Sequence, residues 1–239
     1  MALLGDEDRE ILLERFREEM DAPVELLFFS RQEYQGAEIE EFPDEMPGED
    51  QDLTPQACAI SYRLYREITE LSPKLTLTFV DLATPDGFQK ALETGLDPLR
   101  LPAMAFQAES LTGKSHFFGI PTGYEFATLI ENITDLSRNL NHLKAETQAT
   151  LAALTGPAEI KVFVTPTCSF CPSAVRMAHQ MAMSSPNITA EIIEANEFQD
   201  LAEQYNVYGV PKIIVNDRVE FEGAVPEKVF LGKVLAAAG

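Results

Sequence analysis

Residues 165–175 read TPTCSFCPSAV and hold two of the three cysteines in the chain, Cys168 and Cys171. A C-x-x-C pair can share a metal ion, exchange electrons with another thiol pair, or simply pack. The flanking residues narrow the choice. The preceding run, EIKVFVTPT (159–167), is apolar and β-rich and ends in a turn. The following run, CPSAVRMAHQMAMSS (171–185), places Val175, Ala178, Met181 and Ala182 on one helical stripe. The two cysteines therefore fall where a strand gives way to a helix.

Working outward, ITAEIIEA (188–195) reads as a strand and EFQDLAEQYNV (197–207) as a short amphipathic helix. VPKIIVND and RVEFEGA (210–224) form a hairpin pattern around an Asn-Asp turn. PEKVFLGKVLAAAG (226–239) closes as a helix with Pro226 in its first turn. The order β-α-β-α-β-β-α, with cysteines between the first strand and its helix, is that of a thioredoxin fold.

The first half repeats this plan. VELLFFS (24–30), KLTLTFVDL (74–82), and PAMAFQ with SHFFGI (102–120) read as strands. QACAISYRLYREITEL (56–71), DGFQKALETGL (86–96) and YEFATLIENITDL (124–136) read as helices. A shift of 113 residues places Cys58 on Cys171, Thr54 on Thr167 and Pro55 on Cys168, and it aligns the strand ending at Asp81 with that ending at Glu194. The expected fold class is α/β: two tandem thioredoxin-like folds, each a central mixed sheet flanked by helices. The expected domains are residues 1–136, lacking the attacking cysteine, and residues 137–239, carrying the C-x-x-C. A helix starting near Asn141 and ending at Thr155-Gly156-Pro157 is expected to open the second domain, matching residues 6–20 of the first.

Charge is unevenly divided. Of the net −21, residues 1–136 contribute −18, from 28 acidic and 10 basic residues. This excludes nucleic acid as an expected partner, because phosphate contacts need Lys and Arg. Nine of the acids fall in an insertion at 31–53 that has no counterpart in the second half, and its composition suits a solvated loop. No apolar run approaches the roughly 20 residues of a membrane span. The N-terminus lacks a basic stretch followed by an apolar core, so no secretory signal is read and the expected compartment is the cytoplasm.

In that compartment a C-x-x-C is more often catalytic or metal-binding than structural. Thiol–disulfide exchange needs one thiolate to attack and a second thiol to release the mixed disulfide. Cys168 is the expected nucleophile, placed at the helix N-cap where unsatisfied N–H groups favour negative charge. Cys171, one turn on and more buried, is the expected resolving thiol, and Phe170 between them should be partly exposed and is a candidate substrate contact. The fold order also gives Val210-Pro211 a role: a cis proline beside the sulfurs, preceded by a residue whose backbone can pair with a substrate strand. Pro102 is its counterpart in the first half. Glu194 is a candidate proton shuttle, though a solvent-facing strand end is the plainer reading. Cys58 is expected as a buried helix residue, with a second resolving thiol as the sharper reading. Lys161 and Lys212 are candidates for favouring a thiolate or a glutathione carboxylate.

FVTPTCSFCPSAVRMAH, EQYNVYGVPKIIV, RVEFEGAVPEKVFLGKVL and FFGIPTGYEFATLIENI together resemble the protein disulfide oxidoreductases, glutaredoxin-like proteins built of two fused thioredoxin folds. The resemblance implies exchange by Cys168 and Cys171 on protein disulfides, with Val210 and Pro211 beside them. No bound cofactor is implied beyond the redox disulfide, which an external reductant such as thioredoxin reductase or glutathione would restore. Members commonly carry C-x-x-C in both halves; this chain has Pro55 and Cys58 in the first. A related arrangement is the N-terminal part of the flavoprotein of alkyl hydroperoxide reductases, where only the second fold is redox-active and electrons pass to a peroxiredoxin. A peroxiredoxin is thus one expected partner, and a homodimer stays open. Zinc is not expected, because the motif supplies two of about four ligands and His179, His116 and His142 are badly spaced. Glutathione-dependent glutaredoxin activity, and a non-catalytic, redox-sensitive binding or chaperone-like role, remain the alternatives.

Overall fold

The computed structural model describes residues 3–37 and 52–238. Of the acidic insertion 31–53, residues 38–51 lie outside the described residues. By compactness the chain divides into two units: residues 1–107 with 118–120, and residues 108–117 with 121–239.

In the first unit α1 (Asp6–Glu19) leads into β1 (Val24–Ser30), followed by α2 (Thr54–Thr69), β2 (Leu75–Asp81), α3 (Pro85–Thr94) and β3 (Ala103–Gln107). β1 is central, parallel to β2 and antiparallel to β3. Its sequence VELLFFS is apolar almost throughout because helices cover both faces of such a strand, and six of its seven residues are buried. Phe28 packs among Tyr62, Tyr65 and Phe79, and its burial contributes about 2–3 kcal/mol of transfer free energy. Thr84 caps α3 by accepting the Gly87 N–H, and Gly95 ends that helix in the left-handed region.

In the second unit β4 (Lys114–Phe118, joining through residue 117) lies beside β6, and α4 (Tyr124–Arg138) and α5 (Ala145–Ala152) follow it. Then come β5 (Ala158–Val164), α6 (Cys171–Ser184), β6 (Ile188–Glu194), α7 (Gln199–Gln204), β7 (Lys212–Val215), β8 (Val219–Glu222) and α8 (Glu227–Ala238). β5 is parallel to β6 and antiparallel to β7, which pairs antiparallel with β8. Helices α6 and α8 pack on this sheet, giving the mixed sheet with flanking helices that the sequence pattern predicts.

The repeat is present in the backbone. β2 and β6 coincide at the 113-residue shift, and each pairs in parallel with the strand that precedes its helix. Leu101–Pro102 and Val210–Pro211 are both cis. In each half the residue after that proline opposes the penultimate residue of the central strand, Ala103 against Phe29 and Lys212 against Phe163.

Two local expectations change. The helix expected from Asn141 begins only at Ala145, because the Asn141 side chain is occupied as a tether. Its amide donates to Gln180 O and Ser184 Oγ, and its oxygen accepts the Leu143 N–H. The compact units also do not divide at residue 136. Helix α4 runs through that position and groups with the second unit, where Arg176 of α6 pairs with Glu131 and Asp135 of α4.

Candidate functional site

β5 delivers the chain to a turn at 165–170, and α6 starts at Cys171. Cys168 and Cys171 are disulfide-bonded, with Cα atoms 5.4 Å apart. Cys168 is partly exposed and Cys171 is buried, the asymmetry expected of an attacking and a resolving sulfur. The expected N-cap placement of Cys168 needs correction. The cap position is Phe170, and Cys168 stands outside the helix in the preceding turn. Its sulfur is still aimed at the helix start, accepting the Cys171 N–H at 3.1 Å. That contact lends partial positive charge to whichever sulfur ionises there. Pro172 fits in the first turn, where no N–H is needed. Phe170 projects into solvent, 68% exposed.

Beside the turn comes the cis Val210–Pro211 bond. Because β7 starts at Lys212 opposite Phe163, the antiparallel register carries Pro211 and Val210 toward Val164 and Thr165, the residues that feed the cysteine turn. Pro211 O accepts the Gly223 N–H at 2.9 Å, and Gly223 adopts a φ of 81°, a conformation that side chains with a Cβ rarely take. Val210 itself lies outside the β7 ladder.

A third element reaches the turn, one that the sequence pattern does not single out. The first residue of α4, Tyr124, donates its N–H to Pro166 O at 3.0 Å, two residues before Cys168. Gly123 makes this approach feasible: a Cβ there would lie 2.2 Å from Pro166 O. The next residue, Glu125, is buried, and neither of its carboxyl oxygens has a hydrogen-bond partner. Burial pushes its pKa from the ordinary 4.5 up to about 7. A signal for it does exist in the chain: Glu125 lies on the same helical stripe as Leu129, Ile133 and Leu136, all buried, and an acid on a core-facing stripe needs a reason.

The remaining candidates are held by contacts of their own. Glu194 is buried rather than solvent-facing, which raises its pKa. Its carboxylate accepts the Glu197 N–H at 2.6 Å and so closes the turn after β6. Asp81, its counterpart in the first half, does the same for the turn after β2, accepting N–H groups from Ala83 and Gln32. Lys161 is buried and bound to Glu159 and Asp217 at 2.9 and 3.3 Å. Lys212 is bound to Glu220 and to Asn206 O, both at 3.0 Å. Cys58 is a buried thiol within α2.

The histidines are dispersed. His179 lies inside α6 against Ser115, and burial lowers its pKa to about 3, so it is neutral at pH 7. His116 is near Glu191 and His142 near Asp135. Among the described residues no group of three or more His, Cys, Asp or Glu side chains could hold a metal ion, and no helix is long and apolar enough to cross a membrane.

An accessible sulfur bonded to a buried one, at the strand-to-helix turn of a mixed sheet and beside a cis proline, is the arrangement of a thioredoxin fold that carries a cysteine pair. Comparison with known proteins agrees. The thioredoxin domain family model matches residues 158–236. The whole chain superposes on a protein disulfide oxidoreductase from Aeropyrum pernix with a TM-score of 0.80 and 29% identity, covering 100% of this chain and 95% of that one. The alkylhydroperoxide reductase protein AhpF from Enterococcus faecalis shares the two-domain fold, with a TM-score of 0.77, 21% identity, and coverage of 97% and 99%. In sequence, the AhpF protein of the alkyl hydroperoxide reductase from Pseudomonas putida is 28% identical over 140 residues, 59% of this chain. That match spans only 27% of the relative's own length.

Proposed function

We propose that the chain is a thiol–disulfide oxidoreductase that reduces protein disulfides through the Cys168/Cys171 dithiol. The observation that carries this reading is the partly exposed Cys168 bonded to the buried Cys171, with its sulfur held on the first N–H of α6. In the reduced enzyme the Cys168 thiolate attacks one sulfur of a substrate disulfide. A mixed disulfide forms, and the other substrate sulfur leaves and takes up a proton. Cys171 then loses its proton and attacks the Cys168 sulfur. This releases the second substrate thiol and re-forms the Cys168–Cys171 disulfide. Two electrons pass from the dithiol to the substrate, and an external reductant, a thioredoxin reductase or glutathione, returns them.

Cys171 is buried, so its proton needs an acceptor within the protein. Glu125, on the helix end anchored to the cysteine turn and titrating near neutral pH, suits that role. Val210 supplies the backbone edge along which a substrate segment pairs. Likeness to the AhpF protein of alkyl hydroperoxide reductase favours a peroxide-reducing partner protein as the disulfide that is reduced. The reading is tested by insulin reduction, run with thioredoxin reductase and separately with glutathione. Turnover with at least one reductant, absent in Cys168→Ser, is expected. Wild type no faster than Cys168→Ser in both systems sinks it.

A further inference from the structure

Strand β2 pairs with β1 on one side, and among the described residues no strand lies on its other side. In the second unit β6, its counterpart at the 113-residue shift, has that side filled by β4. Two hydrogen bonds fix which groups of β2 face outward. Lys74 O accepts the Val24 N–H, and the Leu82 N–H donates to Ser30 O, both toward β1. A strand alternates, so the even-numbered residues from 74 to 82 turn their N–H and C=O groups to β1, and Leu75, Leu77, Phe79 and Asp81 turn theirs outward. The Leu75 N–H is taken by Ser72 O, and Asp81 O by the Thr84 N–H. What stays open, among the described residues, is the Leu75 C=O, both groups of Leu77 and of Phe79, and the Asp81 N–H. Exposed edges are ordinarily blunted by charge, proline or brevity. The edge strand β8 follows that rule, with four residues and Glu220 and Glu222 exposed. Strand β2 does not: it has seven residues, and from Leu75 to Val80 it carries neither a charge nor a proline.

We propose that β2 is a homodimer interface, in which two copies of the chain pair their β2 strands antiparallel about a two-fold axis at Thr78. Thr78 then opposes Thr78 of the second copy, Leu77 opposes Phe79, Thr76 opposes Val80, and Leu75 opposes Asp81. In this register Leu77 and Phe79 exchange both of their hydrogen bonds, and the Asp81 N–H meets the Leu75 C=O, so every open group has a partner. A register moved by two residues toward either end leaves at least one of them unpaired. The open groups are thus complementary to themselves, which is what an isologous contact requires. On one face the half-buried Leu77 and Phe79 cover each other across the junction; on the other the exposed threonines meet. Charge points to the same contact. Residues 1–136 carry −18, from 28 acidic and 10 basic residues, so two copies repel except along an uncharged run such as 75–80. The dimer therefore tightens as salt screens that repulsion. The proposal is independent of the exchange reading, since the cysteine pair lies in the other unit.

The test is disulfide trapping in the full chain, with Cys58→Ser, Cys168→Ser and Cys171→Ser removing the native sulfurs. Thr78 and its copy form a non-hydrogen-bonded pair, whose Cα atoms lie about 4.5 Å apart, within reach of a disulfide. Under mild oxidation Thr78→Cys should cross-link into a dimer on non-reducing gels. Thr76→Cys, equally exposed, should not, because its own copy stands four residues along the partner strand, about 13 Å away. Sedimentation of the wild type at about 0.5 M sodium chloride should show a concentration-dependent dimer. Leu77→Pro removes an outward N–H and spares the ladder to β1, so it should weaken that dimer roughly tenfold or more. Where circular dichroism shows Leu77→Pro unfolded, the two cysteine variants decide alone. A wild type that stays monomeric up to about 100 μM overturns the interface. So does a Thr78→Cys that forms no cross-link, or one that cross-links no better than Thr76→Cys.

Discussion

The two halves share a frame, and the difference that bears on the cysteines lies at one turn. Each has a parallel strand pair in the same register, a cis proline opening the next strand, and a glycine whose N–H binds that proline's carbonyl, Gly119 to Pro102 and Gly223 to Pro211. In the second half the helix begins at Cys171, and the residue three before it stays in an open turn with its sulfur reachable. In the first half the helix begins at Thr54, so Pro55, the counterpart of Cys168, is already inside its first turn. Behind it Ala57, Ile60 and Ile120 close into an apolar cluster. The frame is thus common to both halves, and the cysteine pair belongs to the turn of one. Glu194 and Asp81 share a turn-closing contact in both halves, so that contact alone does not mark the half with the cysteine pair.

The largest expected effects lie where the halves differ most. Cys168→Ser should reduce disulfide turnover by roughly three orders of magnitude or more. Cys171→Ser should instead hold partner proteins as mixed disulfides, visible on non-reducing gels. Equal trapping by both variants would contradict the division of roles. Next is Glu125. If it accepts the Cys171 proton, turnover rises with pH through about 7 as its carboxyl ionises, and Glu125→Gln loses that inflection and roughly tenfold in rate. A pH–rate profile unchanged in Glu125→Gln removes Glu125 from the mechanism.

The same group has a stability signature that does not depend on catalysis. Its folded pKa lies above its unfolded one, so between 4.5 and about 7 the native state binds more protons than the unfolded state. Stability at this site is therefore full below the ordinary value and falls as pH rises through about 7. The loss is on the order of 3 kcal/mol at most. Urea unfolding at pH 5 and pH 8 should show this slope in wild type and a flatter one in Glu125→Gln.

Much of this is legible in the chain. The strand-turn-helix around Cys168 and Cys171, the 113-residue repeat and the proline at position 211 are local or periodic signals, which residue patterns carry well. Glu125 is harder to read, because its meaning depends on a helix more than forty residues upstream docking onto the cysteine turn, and only a buried acid on a core stripe betrays it. The cap of α6 falls at Phe170 rather than Cys168 because helix caps are set by local geometry that composition constrains weakly.

Smaller effects test the first half. Cys58→Ser should leave turnover within about twofold, because the thiol is buried in α2, while the hydroxyl placed there costs roughly 1–2 kcal/mol in urea unfolding. A large loss of turnover in a folded variant would return a redox role to Cys58.

The smallest expected effect is the most pointed. Pro55→Cys in the Cys168→Ser background rebuilds a C-x-x-C at 55–58 while leaving the second half unable to attack. If the motif alone made the chemistry, insulin reduction would return. It should instead stay below about 1% of wild type, because a thiol at 55 lies within the helix, backed by the Ala57–Ile60–Ile120 cluster and lacking the open turn that presents Cys168. Recovery above about 10% would mean that the first half is silent only for want of a sulfur.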